Sequence, residues 1–416
     1  MDDAAILAAK DCGEVVVVGW GSGQDLRLLF TTIGSGFGGL LGKIGLIIVF
    51  GAILGVILEK TGGAVTLADA LINTLGKRFP ALTMAVVGAI VSIPVFCDSG
   101  FIILSRLNRR LAARTGVAPA SLFLALAAGL YLTHNLVPPT PGPVTAAAYL
   151  SASQYLGSIM LIGLLVSVPI LLMAWWWSRR QGGEIVLGEE GLPDSVVDVN
   201  PPSLWRVLPS LLIPIVLLAL GTIWQDQPIW QVLGQAPISL LLGVLWGFLL
   251  LAWPQRREWS KWTAHGIGLA GPVLIITGLG GSFGAVLIES GVEEVVRELF
   301  ADVSGSKTVL LVSAFVLAAI LKTAQGSSTS ALVVSSAVLA PVVGAVGFTD
   351  PLSLSLLVTT IGSGAMAVSH ANDSYFWVVT QFSNLSVKDA YRSYSIMTLL
   401  MGLTGLSVCL LLNFLL

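Results

Sequence analysis

Four short polar clusters interrupt an otherwise apolar chain. They read FCDSGF (96–101), THNLVPPTPGP (133–143), KTAQGSSTSAL (322–332) and VSHANDSYFW (368–377). The first offers Asp98 and Ser99 beside Gly100, and the second offers Thr133, His134 and Asn135. The third carries Lys322, Gln325, Gly326, Ser327, Ser328 and Thr329, and the fourth carries His370, Asn372, Asp373 and Ser374. Hydroxyls and amides at that density suit a polyhydroxylated ligand, and Lys322 could pair with a ligand carboxylate. Each group also has a purely structural use. Asp98 and Asp373 could cap helices, Ser327 to Ser330 could satisfy hairpin backbone, Lys322 could sit at a helix C-terminus, and the histidines could be buried hydrogen-bonded residues.

The solvent around these clusters follows from composition. Of 416 residues, 55% are hydrophobic and 11% charged, and the mean hydropathy is +0.89. Soluble domains carry about 25% charged residues. The chain is therefore read as an integral membrane protein, whose partner is a lipid bilayer, and an ionisable group at membrane depth is a functional candidate by default. A net charge of −2 offers no basic face for nucleic acid. Cys12, Cys97 and Cys409 are odd in number and far apart, so neither a disulfide framework nor a metal site is expected; no cofactor is implied. The acidic, charge-interrupted start MDDAAILAAKDCGEVVVV is not a signal peptide.

A spanning helix needs about 20 mostly apolar residues. Candidates are Leu40–Leu58, Leu156–Trp177, Leu204–Trp224, Ala236–Trp253, Ile267–Ile288 and Tyr394–Leu415. Pro119–Leu150 and Leu352–Val379 are apolar but broken at THNLVPPTPGP and SHANDS. Ala81–Leu107 and Val309–Val346 have two short apolar arms around a polar tip. That pattern fits re-entrant hairpins, which survive at depth only where protein or a cavity surrounds them. Charge agrees. With Ala81–Leu107 as a hairpin, Lys60, Lys77, Arg78, Arg106, Arg109, Arg110 and Arg114 share one face. From Lys60 on, fifteen cations then lie on the cytoplasmic side; Arg297 and Lys307 lie outside, and Lys322 lies within the membrane. Trp175, Trp176, Trp177 and Trp205 read as interfacial anchors, and His265, near Lys261, belongs to the cytoplasmic boundary.

The chain also repeats itself. IIVFGAILGVILEKTG (47–62) aligns with ITGLGGSFGAVLIESG (276–291) at an offset of 229, with identities at Ile47/Ile276, Gly51/Gly280, Gly55/Gly284, Leu58/Leu287 and Gly62/Gly291. The same offset lays FCDSGF over QGSSTS, and seven residues more lays Thr133-His134 over Ser369-His370. With hairpins opening in opposite directions, the expected architecture is all-α, with inverted-topology repeats, broken transmembrane helices and two re-entrant hairpins. The expected divisions are a short segment 1–39, a first repeat 40–177, a cytoplasmic acidic linker 178–203 and a second repeat 204–416. The first repeat lacks counterparts of Leu204–Trp224 and Ala236–Trp253, so either it has lost two helices or the chain begins after them.

A broken helix exposes N–H groups at one new end, which suit a carboxylate, and C=O groups at the other, which suit a cation. Transporters place such breaks near the bilayer midplane. Taken together and in this order, the four motifs resemble the gluconate permease (GntP) family of the ion transporter superfamily, from about Gln24 to the C-terminus. The resemblance implies proton-coupled import of small hydroxy-carboxylates, namely gluconate, related sugar acids such as glycerate or, in some members, D-serine, across the bacterial inner membrane. It places the family's motif residues on Asp98, on Thr133 and His134, on Pro138 to Pro143, on Lys322, Gln325, Gly326 and Ser327, and on Ser369, His370, Asn372, Asp373 and Ser374. Thr140 stands where many gluconate-type members resemble Pro-Pro-His-Pro-Gly-Pro, and members usually begin with additional hydrophobic helices. The superfamily further implies an elevator motion and a homodimer.

The coupling proton would be carried by Asp98 or by the His134/His370 pair, since histidine titrates near neutral pH. Sodium coupling is the alternative, with break carbonyls, Asn135 and Asn372 as ligands. A membrane-embedded hydrolase using Ser369, His370 and Asp373 would need a triad geometry that no G-x-S-x-G motif accompanies. A channel is a further alternative, though two oppositely opening hairpins suit alternating access better than an open pore.

Overall fold

A computed structural model describes residues 25–187, 202–289 and 307–415, apart from the single positions 77, 225 and 345. The acidic start, most of the expected linker and Arg297 lie outside the described residues. Within them all regular structure is helical. Among the described residues, seven helices are long and apolar enough to cross a membrane.

The chain opens with α1 (Leu26–Lys60), α2 (Gly63–Leu75), and a hairpin of α3 (Pro80–Val91) and α4 (Cys97–Thr115). A broken helix follows as α5 (Pro119–Leu136) and α6 (Pro141–Tyr149), then α7 (Leu156–Gly182). After α8 (Leu204–Ile223) and α9 (Ala236–Trp246), the order recurs. It runs as α10 (Trp259–Glu289), a second hairpin of α11 (Lys307–Gln325) and α12 (Ser328–Val343), a broken pair α13 (Pro351–Ala365) and α14 (Ser374–Ser383), and α15 (Ile396–Leu415).

Several boundaries differ from the sequence reading: α10 begins at Trp259 rather than Ile267, and α7 runs on to Gly182. Helix α1 begins at Leu26, not Leu40, so part of the expected segment 1–39 is helical. Asp25 caps it, accepting from the N–H groups of Arg27 and Leu28 at 2.9 and 3.3 Å. The glycine-rich stretch TTIGSGFGGL stays helical, and at one of its glycines, Gly36, another backbone comes close. A β-carbon on Gly36 would meet the Gly281 carbonyl, and one on Gly281 would meet that of Gly36. Small residues permit this approach in membranes. Helix α9 stops at Trp246 and continues as a π-turn through Leu251.

The α1–α10 pair reports the repeat symmetry. These are the two helices that align at offset 229. They run antiparallel, with Thr32 donating to Glu289 at 2.7 Å near one end and Gly266 packed on the Ile53 backbone near the other. Moving both members of the 36/281 approach by the offset gives 265/52, and the observed approach is 266/53. Equivalent helices crossing in opposite directions are what an inverted repeat requires. The hairpins then exchange partners: α12 packs on α6 of the first repeat, and α4 on α14 of the second.

Three of the four expected anchor tryptophans carry an arginine over the ring: Arg179 on Trp175, Arg180 on Trp176 and Arg206 on Trp205, at 5.2–5.7 Å. Trp177 differs, donating its indole N–H to the Ser393 carbonyl at 2.8 Å. His265 is exposed on the first turns of α10.

Candidate functional site

The apolar run before THNLVPPTPGP does not face lipid. Every residue of α5 from Ala120 to Leu136 is buried, so the run is core that carries the break inward. Helix α5 ends at Leu136, and Thr140 donates to the Val137 carbonyl at 2.6 Å across the unwound turn. Helix α6 then starts with Pro141 at its first position, where a missing N–H costs no hydrogen bond. The equivalent break, 366–373, has its backbone satisfied from outside: the Ser369 N–H donates to Thr398 Oγ1 at 2.9 Å.

At the first hairpin tip, α4 starts at Cys97 with no side chain capping it. Asp98 lies in the first turn but does not cap, and its Oδ1 is buried without a hydrogen-bond partner among the described residues. At the second tip, Ser327 caps α12 by accepting from the Ser330 N–H at 3.2 Å. Gly326 precedes it at φ +80°, and a β-carbon there would run into the Asn372 carbonyl. Only glycine satisfies both constraints.

The second hairpin and the second break are locked together. Lys322 and Asp373 form an ion pair at 2.6 Å with side chains 0% and 5% exposed. Lys322 also donates to the Gly326 carbonyl at 2.6 Å and lies 5.7 Å from the Tyr131 ring centre. Asp373 accepts from Ser369 Oγ at 2.5 Å, Tyr131 Oη at 3.4 Å and the Tyr375 N–H at 3.1 Å, the last as N-cap of α14. Asn372 donates to the Thr323 carbonyl at 2.6 Å, and His370 Nε2 lies 3.2 Å from the same oxygen. A buried pair survives only with its remaining lone pairs and protons satisfied, and here they are.

Around these elements is an open cavity of about 770 Å3. Of the residues singled out by sequence, it is lined by Asp98, Ser99, His134, Gln325, Gly326, Ser327, Ser328, Thr329, Asn372, Asp373 and Ser374. Three helix N-termini, those of α4, α12 and α14, open onto it. The other candidates sit elsewhere. Gly100 packs against Leu130, and Thr133 is buried with its carbonyl taken by the Val137 N–H. Asn135 donates to the Tyr131 carbonyl at 2.8 Å. Lys322 is not among the cavity-lining residues and is paired with Asp373 behind the wall. His370 is turned onto Thr323.

The sequence reading missed Phe96, Cys97, Tyr131, Ala371, Tyr375 and Trp377, and the α10 residues Leu269 and Val273, all of which line the cavity. Tyr131 lies one helical turn before His134, and Tyr375 and Trp377 close the SHANDSYFW motif. Those signals were available; Leu269 and Val273 carried none. Tyr131 and Tyr375 stack with centres 5.3 Å apart, making a rigid aromatic floor. Behind His134, a small void is lined by Ser92 and Thr140. His134 Nδ1 and Ser92 Oγ are both buried without a partner among the described residues. Because Ser369 donates to Asp373 directly and His370 faces a carbonyl, these three residues orient a helix end rather than activate a nucleophile.

Comparison with known proteins agrees along nearly the whole length. A family model described as GntP family permease matches residues 14–415. The inner membrane permease YgbN of Escherichia coli is 32% identical, over 89% of this chain and 86% of the relative. A gluconate permease of Pseudomonas aeruginosa is 29% identical, over 95% and 90%. The Gnt-II system L-idonate transporter of Escherichia coli is 28% identical, over 95% and 92%. The crystal structure of the Alcanivorax borkumensis YdaH transporter, described as having an unusual topology, superposes with a TM-score of 0.67 at 19% identity. That superposition covers 93% of this chain and 87% of the other, a likeness of fold.

Proposed function

The chain belongs to the GntP permease family, and from that premise we propose that it imports a small sugar acid by proton symport through the cavity at the four breaks. It is a multi-pass protein of the bacterial inner membrane and a transporter, not an enzyme. The observation that carries the proposal is the convergence of three helix N-termini with hydroxyl and amide side chains on one cavity of about 770 Å3. Oriented N–H groups at helix starts favour an anion. The start of α4 is the best placed, because no side chain caps it, whereas α12 and α14 spend a cap on themselves. Ser99, Ser327, Ser328, Thr329, Ser374 and Asn372 supply partners for hydroxyl groups, and the Tyr131–Tyr375 stack supplies a face for the carbon skeleton. Relatives named for gluconate and L-idonate support the substrate class.

In this proposal Asp98 is the coupling group. Its carboxyl lines the same cavity as the free α4 N-terminus. Ionised, it repels a substrate carboxylate; protonated, it becomes a hydrogen-bond donor. Anion and proton then bind better together than apart, which is the linkage a symporter needs.

The test is uptake into proteoliposomes with an imposed proton gradient, offering radiolabelled gluconate, L-idonate and D-glycerate with and without a protonophore. Protonophore-sensitive accumulation of a sugar acid is the expected result. Accumulation that follows sodium at fixed pH would overturn the proton assignment. Binding of none of the three sugar acids by the folded protein would overturn the substrate class.

A further inference from the structure

We propose that a second cavity, of about 760 Å3 between the mouth of the first hairpin and the end of α7, binds the phosphate headgroup of an anionic phospholipid from the cytoplasmic leaflet. Three arginines from three different elements line it: Arg78 before α3, Arg114 in the last turn of α4 and Arg179 near the end of α7. Among the described residues, none of the three has a carboxylate within ion-pair distance. Asp69 on α2 is the acidic neighbour, and it interacts with both Arg110 and Arg114, so the local charge stays positive.

The arginines are also pre-arranged. Arg78 lies over Phe79 at 5.3 Å and Arg179 over Trp175 at 5.6 Å, and the two rings meet edge to face at 6.3 Å. Stacking fixes a guanidinium plane while leaving its N–H edge free, the geometry that takes a phosphate in bidentate fashion. A soluble anion would need no more than that. Here the rest of the lining sets the apolar Ile72, Leu111 and Val117 beside the polar Asn73 and Thr115, a mixed wall that suits an amphiphile. The ring pair belongs at headgroup depth. The charge distribution puts this end of the first hairpin in the cytoplasm, where anionic lipids attract basic side chains.

The experiment is native mass spectrometry of the full chain in detergent, titrated with phosphatidylglycerol, phosphatidylcholine and inorganic phosphate. Preferential retention of phosphatidylglycerol over phosphatidylcholine is expected, with a loss of about fivefold in affinity per arginine removed and about thirtyfold for Arg78→Gln/Arg179→Gln. Arg256→Gln, which removes another arginine stacked on a tryptophan, Trp253, should change nothing. Should the double glutamine variant not fold, Arg78→Lys/Arg179→Lys keeps the charge, loses the planar fork and should show a smaller loss. Equal retention of the two lipids would sink the proposal. So would an equal loss in Arg256→Gln, or displacement of the lipid by inorganic phosphate at matched concentration, which would mark a site for soluble anions.

Discussion

Replacing Asp98 by Asn separates binding from coupling. Asparagine keeps the size and hydrogen-bonding capacity of a protonated aspartate and removes only the charge. The carboxyl stands in the first turn of α4, on the cavity that the uncapped α4 N-terminus opens onto. A substrate carboxylate at those N–H groups would lie about 6 Å from it, and at an effective dielectric of about 20 two like charges there repel by about 3 kcal/mol. That corresponds to a difference of about 100-fold in affinity between the ionised and protonated forms.

Three results follow for Asp98→Asn. At alkaline pH, where the wild type is weakened by its own charge, the variant should bind the sugar acid up to about 100-fold more tightly. Its affinity should be flat across the pH range in which that of the wild type declines. Exchange of substrate across the membrane should persist while accumulation driven by a proton gradient disappears. Calorimetric titration at several pH values gives the first two, and counterflow against gradient-driven uptake in proteoliposomes gives the third. Gradient-driven accumulation by Asp98→Asn, or a pH dependence matching that of the wild type, would refute the assignment.

The Lys322–Asp373 pair should behave as a structural latch: Lys322→Ala alone leaves a buried carboxylate and should cost about 3–5 kcal/mol. Lys322→Met with Asp373→Leu should recover much of that in thermal unfolding without restoring transport. Gly326→Ala combines a left-handed backbone with a collision at the Asn372 carbonyl; about 1–2 kcal/mol of backbone strain alone predicts a lowered melting temperature and lost uptake. Gly281→Leu should separate α1 from α10, where a β-carbon already meets the Gly36 carbonyl, at a cost of about 1–3 kcal/mol, read as a lowered unfolding temperature. Lys307→Gln breaks the pair with Asp350, whose side chains are 39% and 46% exposed, and should shift stability by no more than about 0.5 kcal/mol.

The parts of this molecule that could be read from sequence are those where a local pattern has a local cause. Polar clusters inside apolar runs, reinforced by proline in THNLVPPTPGP and glycine in QGSSTS, marked both hairpins and both broken helices at their observed places, whereas lone prolines such as Pro169 and Pro272 stay within their helices. The offset of 229 predicted that two helices are equivalent, though not that they lie against each other. That depends on which glycines face which, and nothing in TTIGSGFGGL itself says that Gly36 meets Gly281. The site divided in the same way. Polar residues at the tips were legible because they are costly at membrane depth. That Lys322 faces Asp373 across 51 positions is a tertiary fact. So is the choice of Leu269 and Val273, out of all the aliphatic residues of α10, to line the cavity.

Comparing the two repeats sharpens the coupling argument. At offset 229, Ser327 is the counterpart of Asp98, and Lys322 that of Ile93; at seven residues more, Asp373 is the counterpart of Val137. The backbone break is duplicated, while the charges are not. In the second repeat the serine caps its helix and the ion pair is saturated by Ser369, Tyr131 and two backbone groups. Moving a proton there would strand a buried charge, at a cost of several kcal/mol. In the first repeat the aspartate stands one residue inside its helix, cannot cap, and keeps an oxygen without a partner, as His134 keeps a nitrogen. A proton can arrive and leave there without breaking any hydrogen bond that the described structure contains. On these electrostatic grounds we propose that the duplicated scaffold divides its labour: the second break would hold the cavity in shape, and the first would bind the coupling proton.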